Sequence, residues 1–282
     1  AVVNAMKLEH MSEVWRHRFL TWGIAIAVFG MRFLFPILVV SIFAKLDMLT
    51  VTNIALNDSQ KYAQYLHATH APIVTFGGMF LIMLFLNYFF NHEKDVHWLN
   101  FIERPLSHLD HIRGIEIVIC LLILLFMQNY MPADEKIPVM ISGISGIITY
   151  LVIDGLSHFL EKHEEMRMAK CATESVKCAG LISFIYLELI DASFSLDGVL
   201  GAFALSNDVI IITIGLAIGA MFVRSLTIML VEKKTLAKFL YLEHGAHWAI
   251  GALAVIMLIT TVKEVPEVVT GLIGLFFIVA AF

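Results

Sequence analysis

Long apolar runs recur along the chain, separated by short polar connections. Eight segments predict membrane-spanning helices: roughly 19–44, 72–90, 114–132, 138–160, 178–205, 209–231, 246–263 and 268–282. A bilayer core about 30 Å thick needs about 20 residues of α-helix, and every run but the last reaches or approaches that length. Residues 1–8 read as the tail of a further span. The chain starts at Ala1 within such a segment and stops mid-helix at Phe282, so both ends are expected to be cut. The pattern predicts an all-α, polytopic transmembrane helical bundle, a single domain over 1–282.

Composition agrees with that pattern. Hydrophobic residues make up 59% of the chain and charged ones 15%, well below the roughly 25% of soluble domains. The net charge of −5 is small, and no basic tract points to nucleic acid. Three cysteines, Cys120, Cys171 and Cys178, show no CxxC spacing and read as reduced packing residues. The loops at about 7–18, 91–113, 161–177 and 232–245 carry 13 of the 19 Lys and Arg, and the alternate loops carry 4. By the positive-inside rule, residues 9–18, 91–113, 161–177 and 232–245 face the cytoplasm, and the chain reads as an integral protein of a bacterial plasma (inner) membrane. The two remaining basic residues, Arg32 and Arg224, fall inside predicted spans.

The chain carries an internal repeat. Gly23 to Arg32 resembles Gly215 to Arg224, with the same Gly-to-Arg spacing. Upstream, Ala1-Val-Val-Asn-Ala resembles Gly198-Val-Leu-Gly-Ala, which places Asn4 in the first copy of that motif. Downstream, the stretch Tyr65 to His70 resembles Tyr241 to His247. Repeat 1 covers about 1–90 and repeat 2 about 178–263. Connecting helices lie at about 114–160, with a final helix at 268–282. The copies are five helices apart, an odd number, so they run in opposite directions across the membrane. Inverted repeats of this kind build many secondary transporters, whose sites lie near the midplane between the halves.

The chemistry concentrates in one span, where Glu188, Asp191, Ser193, Ser195 and Asp197 fall within ten residues. A single acid at a helix centre costs about 2.5–3.5 kcal/mol on insertion scales, so such residues persist mainly where they bind ions, carry protons or answer an opposite charge. On a straight helix Glu188, Asp191 and Ser195 share one face, and Ser193 and Asp197 fall roughly opposite. Residues 178–205 would span about 42 Å at 1.5 Å per residue, so the acidic helix is tilted or broken. Gly198 and Gly201 place a break near Ser195–Gly198. Carboxylates, hydroxyls and freed carbonyls are hard oxygen ligands, suited to Mg²⁺, Ca²⁺ or Mn²⁺. A hydrogen-bonded polar interface with no ion is the plainer alternative.

The remaining polar residues read as accessories. Arg32 and Arg224 need anionic partners: a structural ion pair, snorkelling for Arg224, or a counter-ion that an incoming cation displaces. Pro36 removes the amide that would bond the Arg32 carbonyl, so the first helix should be kinked just past Arg32. His67 and His70, and His244 and His247, are spaced i, i+3 at the ends of equivalent helices, as caps, packing residues, vestibule ligands or proton relays. Asp154 and His158 form a local pair or a cytoplasmic gate. Gly215 and Gly219 form a GxxxG that permits close helix approach and leaves a homo-oligomer open.

On the stretches Glu188-x-x-Asp-Ala-Ser-Phe-Ser-Leu-Asp197-Gly-Val, Gly215…Arg224 and Tyr241…His247, the chain resembles the TerC family of tellurium-resistance-associated membrane proteins, in a little-characterised branch. The resemblance covers almost the whole chain. It implies the wider LysE-type transporter grouping and efflux of a divalent metal, manganese above all. Carried over residue by residue, it places Glu188, Ser195 and Asp197 in the second acidic motif, with Asp191 as an extra acid. The family's first acidic motif is expected just before Ala1. The resulting expectation is a transporter, not an enzyme, exporting Mn²⁺ or a similar cation in exchange for protons, with no covalent cofactor and with the lipid bilayer as its surroundings. Two rivals remain: an anion, oxyanion or amino-acid exporter gripping its substrate with Arg32 and Arg224, and a non-transporting scaffold that helps metallate or assemble secreted proteins. The Gly-x-Gly-Asp element of an intramembrane aspartyl protease is absent.

Overall fold

A computed structural model describes residues 13–90, 98, 101, 103, 114–168, 184–185, 187–188, 209–232, 241–263 and 265–281. Among them every regular element is helical. In chain order these are α1 (Glu13–Ala25), a π-helical segment π1 (Ile26–Leu34), α2 (Phe35–Ala44), α3 (Met48–Asn57), α4 (Ser59–Ala68), α5 (His70–Phe90), α6 (Ile115–Met127), α7 (Lys136–Met168), α8 (Val209–Glu232), α9 (Leu242–Thr260) and α10 (Glu267–Ala280). Four stretches are long and apolar enough to cross a membrane: His70–Phe90, Lys136–Gly155, Ile210–Met229 and Leu242–Thr260. The helices Ile115–Met127 and Val268–Ala280 are apolar but shorter. The chain is an all-α, polytopic integral membrane protein.

The first predicted span, 19–44, is one helical path whose pitch changes twice. It is α-helical to Ala25, π-helical from Ile26 to Leu34, and α-helical again from Phe35, with Pro36 in the restarted first turn. Where a kink was expected just past Arg32, the helix instead changes its hydrogen-bond register over Ile26–Leu34, a stretch that contains Arg32. Proline denies the i→i+4 ladder one amide, and a wider turn is one way to re-satisfy the carbonyls before it.

Residues 45–71, read from the sequence as a connection, form two ten-residue helices. Lys45 takes a left-handed conformation (φ 53°) that ends α2, its amide bonding the Ser41 carbonyl. Asp47 then caps α3 by accepting from the Leu49 amide, and Asp58 caps α4 by accepting from Lys61. Val51 and Ala55 of α3, and Tyr62, Ala63 and Leu66 of α4, are buried. Neither helix is long enough to cross a bilayer.

The chain divides into two units. The first comprises Val3–Thr69 and Leu151–Lys234, and the second His70–Tyr150 and Thr235–Phe282. In the first, α8 packs on α1 and π1, and α3 packs on α2. The α8 span is only 22% buried, and Ile210, Ile214, Ile218, Phe222 and Met229 lie on its exposed surface, the apolar face a bilayer would cover. Gly215 and Gly219 also face open space, so among the described residues the GxxxG makes no helix contact.

In the second unit α5 is the central element, 78% of its span buried. It packs on α9 and α6, and α9 packs on α10. Gly78 lies against Leu258, Phe85 against Gly251, Phe89 against Trp248 and Tyr88 against His247. Partner numbers fall along α5 from Gly78 to Phe89, so α5 and α9 are antiparallel. Most of 178–205, and with it the expected break of the acidic helix, lies outside the described residues.

Candidate functional site

The site of the first unit starts from spacing. On α1, Trp15, Phe19 and Gly23 are four residues apart and form one buried stripe. Phe184, Leu187 and Glu188 share one buried face by the same rule. The two stripes meet in an apolar cluster of Trp15, Phe19, Phe184 and Leu187, with Ile26 packed against it. The Trp15 and Phe184 rings lie 5.9 Å apart. Glu188 is carried at the edge of this cluster, 4% exposed.

From α8, Arg224 enters the same place, 3% exposed. Its Nη2 donates to both carboxylate oxygens of Glu188, at 2.9 Å and 3.1 Å. Its Nη1 donates to the Phe19 carbonyl at 2.9 Å. The guanidinium carbon sits 4.1 Å from the Phe19 ring centroid, over the negative face of the π-system. Gly23 makes the approach possible: a Cβ there would overlap Arg224 and lie 2.7 Å from Glu188 Oε1. The result is a neutral, desolvated ion pair joining three stretches of chain. Of the readings open for Arg224, the geometry is that of an ion pair with an acid; the head group does not snorkel to a surface.

The other acidic-site residues, Asp191, Ser193, Ser195 and Asp197, lie outside the described residues, as does Asn4. Arg32 sits in π1, its side chain outside the description. Among the described residues no three His, Cys, Asp or Glu side chains are placed to hold a metal ion. Asp154 is half-buried on α7, and the side chain of His158 is outside the description.

The two histidine pairs differ in setting. His67 is exposed in the last turn of α4, whereas His70 opens α5. Thr69 divides them, its hydroxyl bonding the Tyr65 and Leu66 carbonyls. Their i, i+3 spacing therefore does not place them on one helix. His244 and His247 do share α9, each 5% exposed. The His247 ring stacks on Tyr88 at 3.4 Å and 4°, and its Nδ1 lies 2.9 Å from the Glu243 carbonyl.

A residue the sequence gave no reason to single out completes this second cluster. Glu103, within a predicted cytoplasmic loop, is 2% exposed. Its Oε2 accepts from the Trp98 amide at 3.0 Å and its Oε1 from Trp248 Nε1 at 3.1 Å. His244 Nε2 lies 3.8 Å from Oε2. Cys120, the described cysteine, is buried and free.

A family model described as a protein of unknown function (DUF475) matches residues 1–282, so the chain belongs to that family. No curated protein and no solved structure matches it.

Proposed function

We propose that this member of the DUF475 family is a membrane transporter that exports Mn²⁺ or a similar hard divalent cation from the bacterial cytoplasm through an acidic intramembrane site. The observation that carries the reading is the buried Glu188–Arg224 pair. An intramembrane acid is expensive unless a cation answers it. In the ion-free protein Arg224 is that cation. A divalent ion arriving at Glu188, with Asp191, Ser195 and Asp197 from the same span, replaces one protein charge with two and frees Arg224 to move. Exchange of the ion for protons on the neighbouring acids, with Glu188 left ionised, then returns Arg224 to its pair. The TerC-type motif around these residues supports the same substrate class.

The anion-exporter reading fits Arg224 less well. Both of its Nη atoms are already committed, to a carboxylate and to a backbone carbonyl, so the guanidinium is not presented to an anionic substrate. Thermal stabilisation separates the two readings: Mn²⁺ should raise the melting temperature of the purified full-length protein and oxyanions should not. The test of function is cellular manganese in cells expressing the full-length protein. Wild type should lower it and Asp197→Asn should not. Equal export by both would reject this assignment of the site.

A further inference from the structure

We propose that the apolar cluster of Trp15, Phe19, Phe184 and Leu187 is a gate that seals the Glu188–Arg224 pair from the cytoplasmic side of the membrane. As a gate it rests on the transport reading above; as a seal it rests on the packing of the first unit. Along α1, Trp15 meets Phe184, and Gly23 lies against Glu188. Partner numbers rise together, so the two stretches run parallel. Trp15 precedes Gly23 by about 12 Å along the helix axis, and Phe184 precedes Glu188 by about 6 Å. The aromatic pair therefore lies on the N-terminal side of the ion pair in both stretches. That side adjoins residues 9–18, which the distribution of Lys and Arg assigns to the cytoplasm. Arg224 agrees from α8. It is about 12 Å from Glu232, where the helix ends towards the cytoplasmic loop 232–245, and about 22 Å from Val209 at the other end. The ion pair is nearer the cytoplasmic face, and the aromatic pair stands between the two.

The chemistry of the cluster suits a seal. All four side chains are buried. Indole, phenyl and leucine groups offer a divalent cation no oxygen ligand in place of its water, and hydrophobic constrictions close pores by excluding water. Arg18, itself exposed, holds its guanidinium carbon 4.6 Å from the Trp15 ring centroid. The outer surface of the seal thus carries a positive charge that opposes a cation while the stack is intact. A cation bound for Glu188 from this side needs Trp15 and Phe184 to part. Trp15 belongs to α1, and Phe184 to the stretch that carries Glu188. Arg224 ties those same two stretches together, through the Phe19 carbonyl and the Glu188 carboxylate. Release of Arg224 therefore loosens the contact that the aromatic pair closes, so ion pair and gate open together.

The gate is read by how fast water-borne reagent reaches a thiol at position 187. Leu187→Cys is placed in the full-length protein with every native cysteine, Cys120, Cys171 and Cys178 among them, changed to Ala. It is labelled with a membrane-impermeant maleimide in sealed vesicles of either orientation. Without further change the thiol should label slowly from both sides. Trp15→Ala removes the ring that meets Phe184 and should raise the cytoplasmic rate by about tenfold or more, with the outer rate unchanged. An unchanged cytoplasmic rate, or an equal rise from both sides, overturns the proposal. Should Trp15→Ala fail to give monodisperse protein, Arg18→Gln carries the test on an exposed residue. Loss of a surface cation–π contact should raise the cytoplasmic rate about two- to fivefold, and an unchanged rate there is equally contrary. Labelling needs no Mn²⁺, so sided labelling in a protein that moves no Mn²⁺ would count against the transport reading and leave the seal standing.

Discussion

Replacing Arg224 with Gln leaves Glu188, 4% exposed, without the guanidinium that contacts both of its oxygens at 2.9 Å and 3.1 Å. Removing one partner of a buried ion pair costs about 3–5 kcal/mol, because the survivor is an uncompensated buried charge. About 4 kcal/mol is close to a thousandfold in an equilibrium constant. Glu188→Gln should cost a similar amount, since it takes the carboxylate away from a guanidinium that is 3% exposed. The double variant Glu188→Gln/Arg224→Gln should cost less than the sum of the two single changes, about 5–6 kcal/mol, with a coupling of about 2–3 kcal/mol, the upper range for residues in one network. The assay is thermal unfolding of all four proteins in the same membrane mimetic, with and without Mn²⁺. If Arg224 competes with the cation for Glu188, then Mn²⁺ stabilises Arg224→Gln more than wild type, and Glu188→Gln least. A ligand at a hundred times its dissociation constant adds about 2.7 kcal/mol, enough to recover much of the Arg224→Gln deficit. Additive single effects, or equal Mn²⁺ shifts in all four proteins, would refute the reasoning.

Three further outcomes follow from packing. Gly23→Ala places a methyl against Arg224 and Glu188 and should lower the melting temperature through overpacking of about 1–3 kcal/mol, whereas Gly215→Ala, its repeat mate, faces open space and should change little. Gly146→Ala drives a methyl into the Phe76 carbonyl, backbone that cannot step aside, and should destabilise by a similar amount, while Gly155→Ala on the same helix has free space and serves as control. Tyr62 lies on α4, outside the spans, and burial of its hydroxyl holds its ionisation well above the ordinary 10.0. The unfolded chain then releases this proton first as pH rises, so stability should fall above about pH 10; tyrosinate absorbance and thermal unfolding should show that part of the loss absent in Tyr62→Phe.

The spans were legible because bilayer thickness imposes a length that apolar runs reveal directly: 72–90, 209–231 and 246–263 each start and end within four residues of α5, α8 and α9. Helices α3 and α4 were not, because ten residues cannot span and their buried positions are split by Asp58, which reads as a turn until it is seen capping α4. That Arg224 requires an acid followed from its depth alone. Which acid it takes did not follow, since Glu188 is brought to it by the Phe184–Leu187 face packing on Trp15 and Phe19, a contact between distant segments. Glu103 was hidden for a related reason: a lone acid in a charged loop carries no local sign of burial against Trp248. The histidine spacing misled at one end, because His67 and His70 straddle a helix boundary that i, i+3 counting ignores.

The most direct test is Mn²⁺ flux through the full-length protein reconstituted in liposomes, wild type against Glu188→Gln. Manganese-dependent flux in wild type, abolished by that one neutralised carboxylate, is the predicted result. Liposomes in which neither protein moves manganese, or in which Glu188→Gln moves it as fast as wild type, would contradict a cation path through this ion pair.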